Sequence, residues 1–199
     1  MKKMVICIVC VLLGYVCAFA AEEKTQPSEQ CEDAVFSGSV VAETFQSIIK
    51  NLILPCMTKS APVRLLISSG GGDVDAAIST YDAVKMYGAQ DKLATIAVGT
   101  VGSSSVLIYL AGNKREITPN GFIFLHPITN SMEANKKALA DELEFTVKLF
   151  KSVTDSYVRI VAERTKLSPE QVRDFMTKGV VLNAEEAVKY GFAQNIVGK

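Results

Sequence analysis

Two glycine-rich turns constrain this chain more than any other feature, because each sits between an apolar run and a helical pattern. Val63-Arg64-Leu65-Leu66-Ile67 runs into Ser68-Ser69-Gly70-Gly71-Gly72, and residues 73–87 then read as a helix stopped at Gly88. The run 93–98 (LATIAV) leads into Gly99-Thr100-Val101-Gly102-Ser103-Ser104-Ser105, followed by a short helix over 106–111 that closes on Gly112. The same order begins the domain. Residues 34–36 read as a strand, Ser37-Gly38-Ser39 as a turn, and 41–57 as a helix with Phe45, Ile48, Ile49, Leu52 and Ile53 on one face. Phe122-Ile123-Phe124-Leu125 is a further strand, ending at His126-Pro127. Strands regularly separated by helices predict an α/β domain with crossover connections, spanning 34–199.

The chain has 199 residues with balanced charge, 21 Lys+Arg against 21 Asp+Glu. With no global positive field, sequence-independent nucleic-acid binding is a poor expectation. One His, His126, excludes every metal site that needs two imidazoles; neither a metal nor a cofactor is expected. Any imidazole general base must be His126.

Hydropathy is concentrated at the start. Lys2-Lys3 precede an uncharged run over 4–20 that ends Ala18-Phe19-Ala20, the pattern of a secretory signal peptide cleaved after residue 20. A retained membrane anchor is the competing reading, but the run is short for a span. Cleavage removes Lys2 and Lys3 and no acid, leaving an exported, mildly acidic chain, periplasmic or secreted and not membrane-bound. Residues 21–33 are polar and read as a flexible leader. Cys31 and Cys56 remain as an even pair in an oxidising compartment, and a disulfide between them is one expectation.

Residues 133–164 carry Leu139, Leu143, Val147, Phe150, Val153, Tyr157, Val158 and Val161 as a broad apolar stripe. Ordinary globular helices run about 8–20 residues, so part of this one is expected to project and bury its stripe against another copy. Two capped helices follow, opening at Ser168-Pro169-Glu170-Gln171 and at Asn183-Ala184-Glu185-Glu186.

The chemistry concentrates in the two turns. Glycines let backbone approach a ligand, and N–H groups at a helix start suit a phosphate or a developing oxyanion. Phosphate is disfavoured, since the first turn lacks a Walker Lys and carries Asp73 and Asp75. Ser103, Ser104 and Ser105 could be plain helix caps, and His126 a structural residue at a strand end. Together, two N–H-rich turns, a serine at a helix start and a strand-end His are the parts of an acyl-transfer site.

These residues resemble a family. Ile67 to Val74 resembles the INSPGGSV turn of ClpP, the proteolytic subunit of the Clp protease, with Tyr81-Asp82 at the family's spacing; Val98 to Ser105 resembles MGQAASMG. Leu125-His126-Pro127 falls in a match to IMIHQP, and Leu182 to Gly191 resembles LSAPEAVEYG. The resemblance implies the ClpP/crotonase-like spiral of β-β-α units with a long protruding handle helix over 133–164. It also implies Ser103 as nucleophile, His126 as general base, and the N–H groups of Gly72 and Ser104 as the oxyanion hole. Substrates would be peptides or unfolded polypeptides, and copies would join into rings through 133–164.

Three departures are visible. Gly179 stands where the family has the Asp that orients the His, Gly70 replaces the family's Pro, and HQP is shortened to HP. Asp174, Asn183, Glu185 or a backbone carbonyl are the candidates to replace the missing acid. The short polar segment before Phe36 and the signal peptide make an ATPase partner doubtful. The alternatives are a peptide-binding scaffold with impaired catalysis and a crotonase-like enzyme acting on an acyl thioester.

Overall fold

The computed structural model describes residues 33–59, 62–129 and 140–199. The expected signal peptide, the expected leader but for Asp33, and residues 133–139 of the expected long helix lie outside these residues. At its centre is a seven-stranded sheet of order β1 (Ala34–Val40), β2 (Val63–Gly72), β3 (Leu93–Gly102), β4 (Lys114–Ile117) and β7 (Asn195–Ile196), with β5 (Phe122–Phe124) and β6 (Val181–Leu182) off this path. Along the main path all neighbours are parallel. Helices α1 (Ala42–Ile48), α3 (Val74–Met86) and α4 (Ser105–Leu110) follow β1, β2 and β3, which is the crossover order expected from the sequence.

The two glycine turns are not loops. β2 continues through Ser68 to Gly72 by pairing with β1, and β3 continues to Gly102, each ladder slipping register once, at Ser37/Ser39 and at Ile67/Ser69. Positive φ at Gly71 and Gly72 supplies the irregular backbone without ending the strand. β3 is shared along its length: Ala94–Ala97 pair with β4, and Thr100 to Gly102 pair with β5. The sheet therefore forks at its upper end. β2, β3 and β5 are parallel and deliver Gly72, Ser103 and His126 at the same carboxyl edge, where ligands bind in open α/β sheets.

Every residue of α4 is buried, so this helix is the centre of the core and has no polar face to show. The helix over 42–59 passes through a π-helical turn, Ile49–Ile53, before continuing as α2 (Leu54–Lys59). Cys56 on α2 is disulfide-bonded, and Cys31, its expected partner, lies outside the described residues.

Helix α5 (Ala140–Arg164) packs alongside α4, and α6 (Pro169–Lys178) and α7 (Ala184–Lys189) follow it. Both expected caps form: Ser168 Oγ accepts from Gln171 N, and Asn183 Oδ1 accepts from Glu186 N. Arg115, on β4, is a buried cation with no carboxylate partner among the described residues; it donates to the carbonyls of Gly112, Arg164, Gly191 and Phe192 and so ties β4 to the end of α5 and the C-terminal segment. Burial, then neighbouring Arg164, lowers its pKa from the ordinary guanidinium value. Leu143 and Val147, one turn apart on one face of α5, and Phe145 and Leu149 on another face stay exposed, apolar surface of the kind that marks an interaction.

Candidate active site

Ser103 follows β3 directly and has φ of 52°, the only positive φ of a non-glycine residue among the described residues. Left-handed backbone costs an L-residue about 1–2 kcal/mol, so the surroundings must hold it there. They do so on both sides of the residue. Ser103 N–H donates to Phe124 O at 3.0 Å, and Ser103 O accepts from Val106 N–H at 3.1 Å and from the Tyr157 hydroxyl at 3.0 Å. Three bonds of about 0.5–1.5 kcal/mol each are enough to offset that strain.

The first turn is pressed against the second. A Cβ on Gly71 would lie 2.6 Å from Ser103 Cβ and 2.8 Å from Gly102 O, and one on Gly72 would lie 2.2 Å from Val40 O. Only glycine permits this approach. Ser105 Oγ fastens the two turns, accepting from Gly102 N–H at 3.0 Å and lying 2.8 Å from Ser69 O and 2.7 Å from Gly102 O, either of which can take its proton. Ser105 is thus a structural serine but not a helix cap: the N-cap of α4 is Ser104, which makes no side-chain capping bond. Ser104 is fully buried, and its Oγ is the one buried side-chain polar atom without a partner among the described residues. Its N–H donates to no acceptor among them either.

His126 stands just after β5. Its ring stacks on Phe124 at 5.8 Å between centroids, and the Phe124 ring in turn occupies the space a side chain at Gly102 would need. Nδ1 is 2.7 Å from Pro127 O. A carbonyl can only accept, so Nδ1 carries the proton and Nε2 holds the free lone pair. None of the three side chains proposed as acid substitutes reaches the ring: Asp174 pairs with Lys178, Asn183 caps α7, and Glu185 pairs with Lys199. The backbone carbonyl is the alternative that the structure adopts.

Gly179 explains its own identity. It ends α6 in the left-handed conformation, φ 65° and ψ 53°, with Gly179 N–H on Met176 O and Val180 N–H on Phe175 O. Its following strand leads toward the histidine: β5 and β6 pair Ile123 with Leu182 and Phe124 with Val181, and Leu125 N–H bonds Val180 O, joining the immediate neighbours of His126 and Gly179. A Cβ there would meet nothing within 4 Å.

Gly72, Ser103 and His126 line one cleft of about 730 Å³, with Gly38, Ser39, Val74 and Ile128 among its other walls. Ser104 contributes backbone next to this cleft but does not line it. Ser103 and His126 are not hydrogen-bonded to each other. Tyr157 and Phe124 are the contacts that sequence reasoning missed. A tyrosine within an otherwise apolar stripe was the available signal, since a buried phenol needs an acceptor.

The Clp protease family profile matches residues 28–199. The chain belongs to the Clp protease family. Among its relatives, ATP-dependent Clp protease proteolytic subunit 2 of Treponema pallidum is 25% identical over 90% of this chain and 94% of its own length. Subunit 2 of Pseudomonas aeruginosa is 27% identical over 81% of this chain and 78% of its own. Among solved structures, a point mutant of ClpP1 from Listeria monocytogenes superposes with a TM-score of 0.71 at 25% identity, covering 84% of this chain and 91% of that one. The α/β architecture is thus that of a ClpP-like peptidase, as the motif resemblance implied.

Proposed function

We propose that this protein is an exported serine endopeptidase acting on short or unfolded polypeptides. The observation that carries the reading is the convergence of Ser103, His126 and the glycine turn on one cleft from the ends of three parallel strands. Ser103 Oγ attacks the scissile carbonyl as His126 Nε2 takes its proton. The tetrahedral oxyanion accepts from the N–H groups of Gly72 and Ser104. Collapse passes the proton from His126 to the leaving amine, and water then hydrolyses the acyl-enzyme with His126 again as base.

Export rests on the basic start and apolar run over 2–20, and N-terminal sequencing of the protein from its native compartment should begin at Ala21. Copies assemble through residues 133–164, where Leu143 and Val147 are exposed together on one face of α5, and act without an ATP-driven partner. A second reading, a peptide-binding scaffold with slow chemistry, is favoured by Gly179 and by the absence of a Ser103–His126 bond. A fluorogenic peptide separates the two. The peptidase reading expects turnover abolished by Ser103→Ala, while peptide binding without turnover in folded wild type supports the scaffold.

A further inference from the structure

We infer that Tyr157, on α5, is a positioning residue for the oxyanion donor Ser104 N–H; the inference rests on the serine-peptidase reading and deepens it. The bond from the Tyr157 hydroxyl goes to the carbonyl of Ser103, which belongs to the same peptide unit as the Ser104 N–H. That peptide is trans, so its C=O and N–H point in opposite directions. Fixing the carbonyl from beneath therefore aims the amide hydrogen the opposite way, and donation to the oxygen polarises the unit and strengthens the N–H as a donor. The Ser104 N–H is left without an acceptor among the described residues, as a group kept for a ligand should be.

The phenol is well placed for this task. Tyr157 is 2% exposed, and burial raises its pKa well above the ordinary tyrosine value, so it stays a proton donor throughout the working range. Its position is fixed by a second grip in the same register. Tyr157 reaches Ser103 O and Arg164 reaches Leu110 O, both across a separation of 54 residues, so α5 runs alongside α4 and holds carbonyls at each of its ends. Tyr157 and Arg164 are two turns apart on one face of α5. Arg164 also donates to Gly112 O and Asn113 Oδ1, which leaves the helix little freedom to slide.

The test is Tyr157→Phe, which removes one hydroxyl and keeps the ring, read with a fluorogenic peptide and a peptide boronate that forms a tetrahedral adduct on Ser103. We expect kcat to fall about three- to ten-fold with KM unchanged, because the lost bond supports the Ser103 turn and its oxyanion donor, which act in the transition state and not in ground-state binding. The boronate inhibition constant should rise by the factor by which kcat/KM falls, while the same peptide as a plain amide binds as before. Val161→Ala, in the same buried stripe but away from the Ser103 carbonyl, should lower Tm and leave boronate affinity in place. A Tyr157→Phe protein that behaves like Val161→Ala overturns the inference. If Tyr157→Phe does not fold, 3-fluorotyrosine at 157, a stronger donor of similar shape, should tighten the boronate, and unchanged affinity overturns the inference. Wild type that neither cleaves peptide nor binds boronate through Ser103 overturns the peptidase reading and this one with it. Reactive wild type with an equally reactive Tyr157→Phe overturns only this one.

Discussion

The two halves of the cleft are built to different standards. On the serine side, Ser103 is held in a strained conformation by three hydrogen bonds, packed against Gly71 at a distance no side chain tolerates, and fastened to the neighbouring turn through Ser105. On the histidine side, the ring rests on Phe124 and one backbone carbonyl, with a glycine and open space where the family places an acid. A rigid nucleophile turn serves both binding and chemistry. The base needs a group that both orients the neutral ring and stabilises its cation, and a carbonyl does only the first. On the peptidase reading, the difference teaches that the serine turn and its N–H donors are preorganised, while imidazolium stabilisation is the weak step.

The comparison can be broken most sharply at Ser103. Ser103→Ala should reduce peptide hydrolysis by about four orders of magnitude or more with the fold intact by circular dichroism, because the nucleophile is removed and the clamp is not. Residual turnover near wild type would mean that the chemistry lies elsewhere.

Next in size is a matched pair of glycine substitutions. Gly71→Ala drives a methyl into Ser103 Cβ and Gly102 O, so it should destabilise by about 2–3 kcal/mol in denaturant titrations and displace the serine. Gly179→Ala meets only the left-handed backbone penalty, about 1 kcal/mol. Equal losses at the two positions would refute the asymmetry.

Gly179→Asp sharpens the same point from the other side. A carboxylate where the family places its acid should raise kcat/KM by about ten-fold, while costing up to about 1 kcal/mol of stability because Asp tolerates the left-handed region. A variant that folds and gains nothing would show that the carbonyl already suffices. The smallest expected effect is at Ser104, whose hydroxyl is buried without a partner among the described residues: Ser104→Ala should leave activity unchanged and stabilise by about 1 kcal/mol. A loss of stability would reveal a partner for that hydroxyl.

Much of the architecture was legible because it is written in local patterns. Apolar runs marked β2, β3 and β5, and the capping boxes at Ser168 and Asn183 marked where α6 and α7 begin. β4 was missed because Lys114-Arg115-Glu116 looks like surface, and only the surrounding carbonyls make a buried Arg115 tolerable. β6 and β7 are two-residue pairings created by the fold, with no pattern to read. The glycine turns were found as sites but mistaken for strand ends, since only the pairing of β1 with β2 shows them continuing the ladder. At the site, residue types nominated Ser103 and His126, but the left-handed serine, the Phe124 stack and the Tyr157 bond depend on contacts far apart in sequence. Gly179, read from sequence as a missing acid, proves to be a helix terminator that needs its own conformation.

The most direct measurement is to treat the folded protein with a fluorophosphonate and locate the adduct by peptide mass spectrometry. The account predicts one phosphonylated residue, Ser103, with labelling lost in Ser103→Ala and strongly slowed in His126→Ala. Unmodified Ser103 in folded wild type, or an adduct on Ser104 or Ser105 instead, would contradict it.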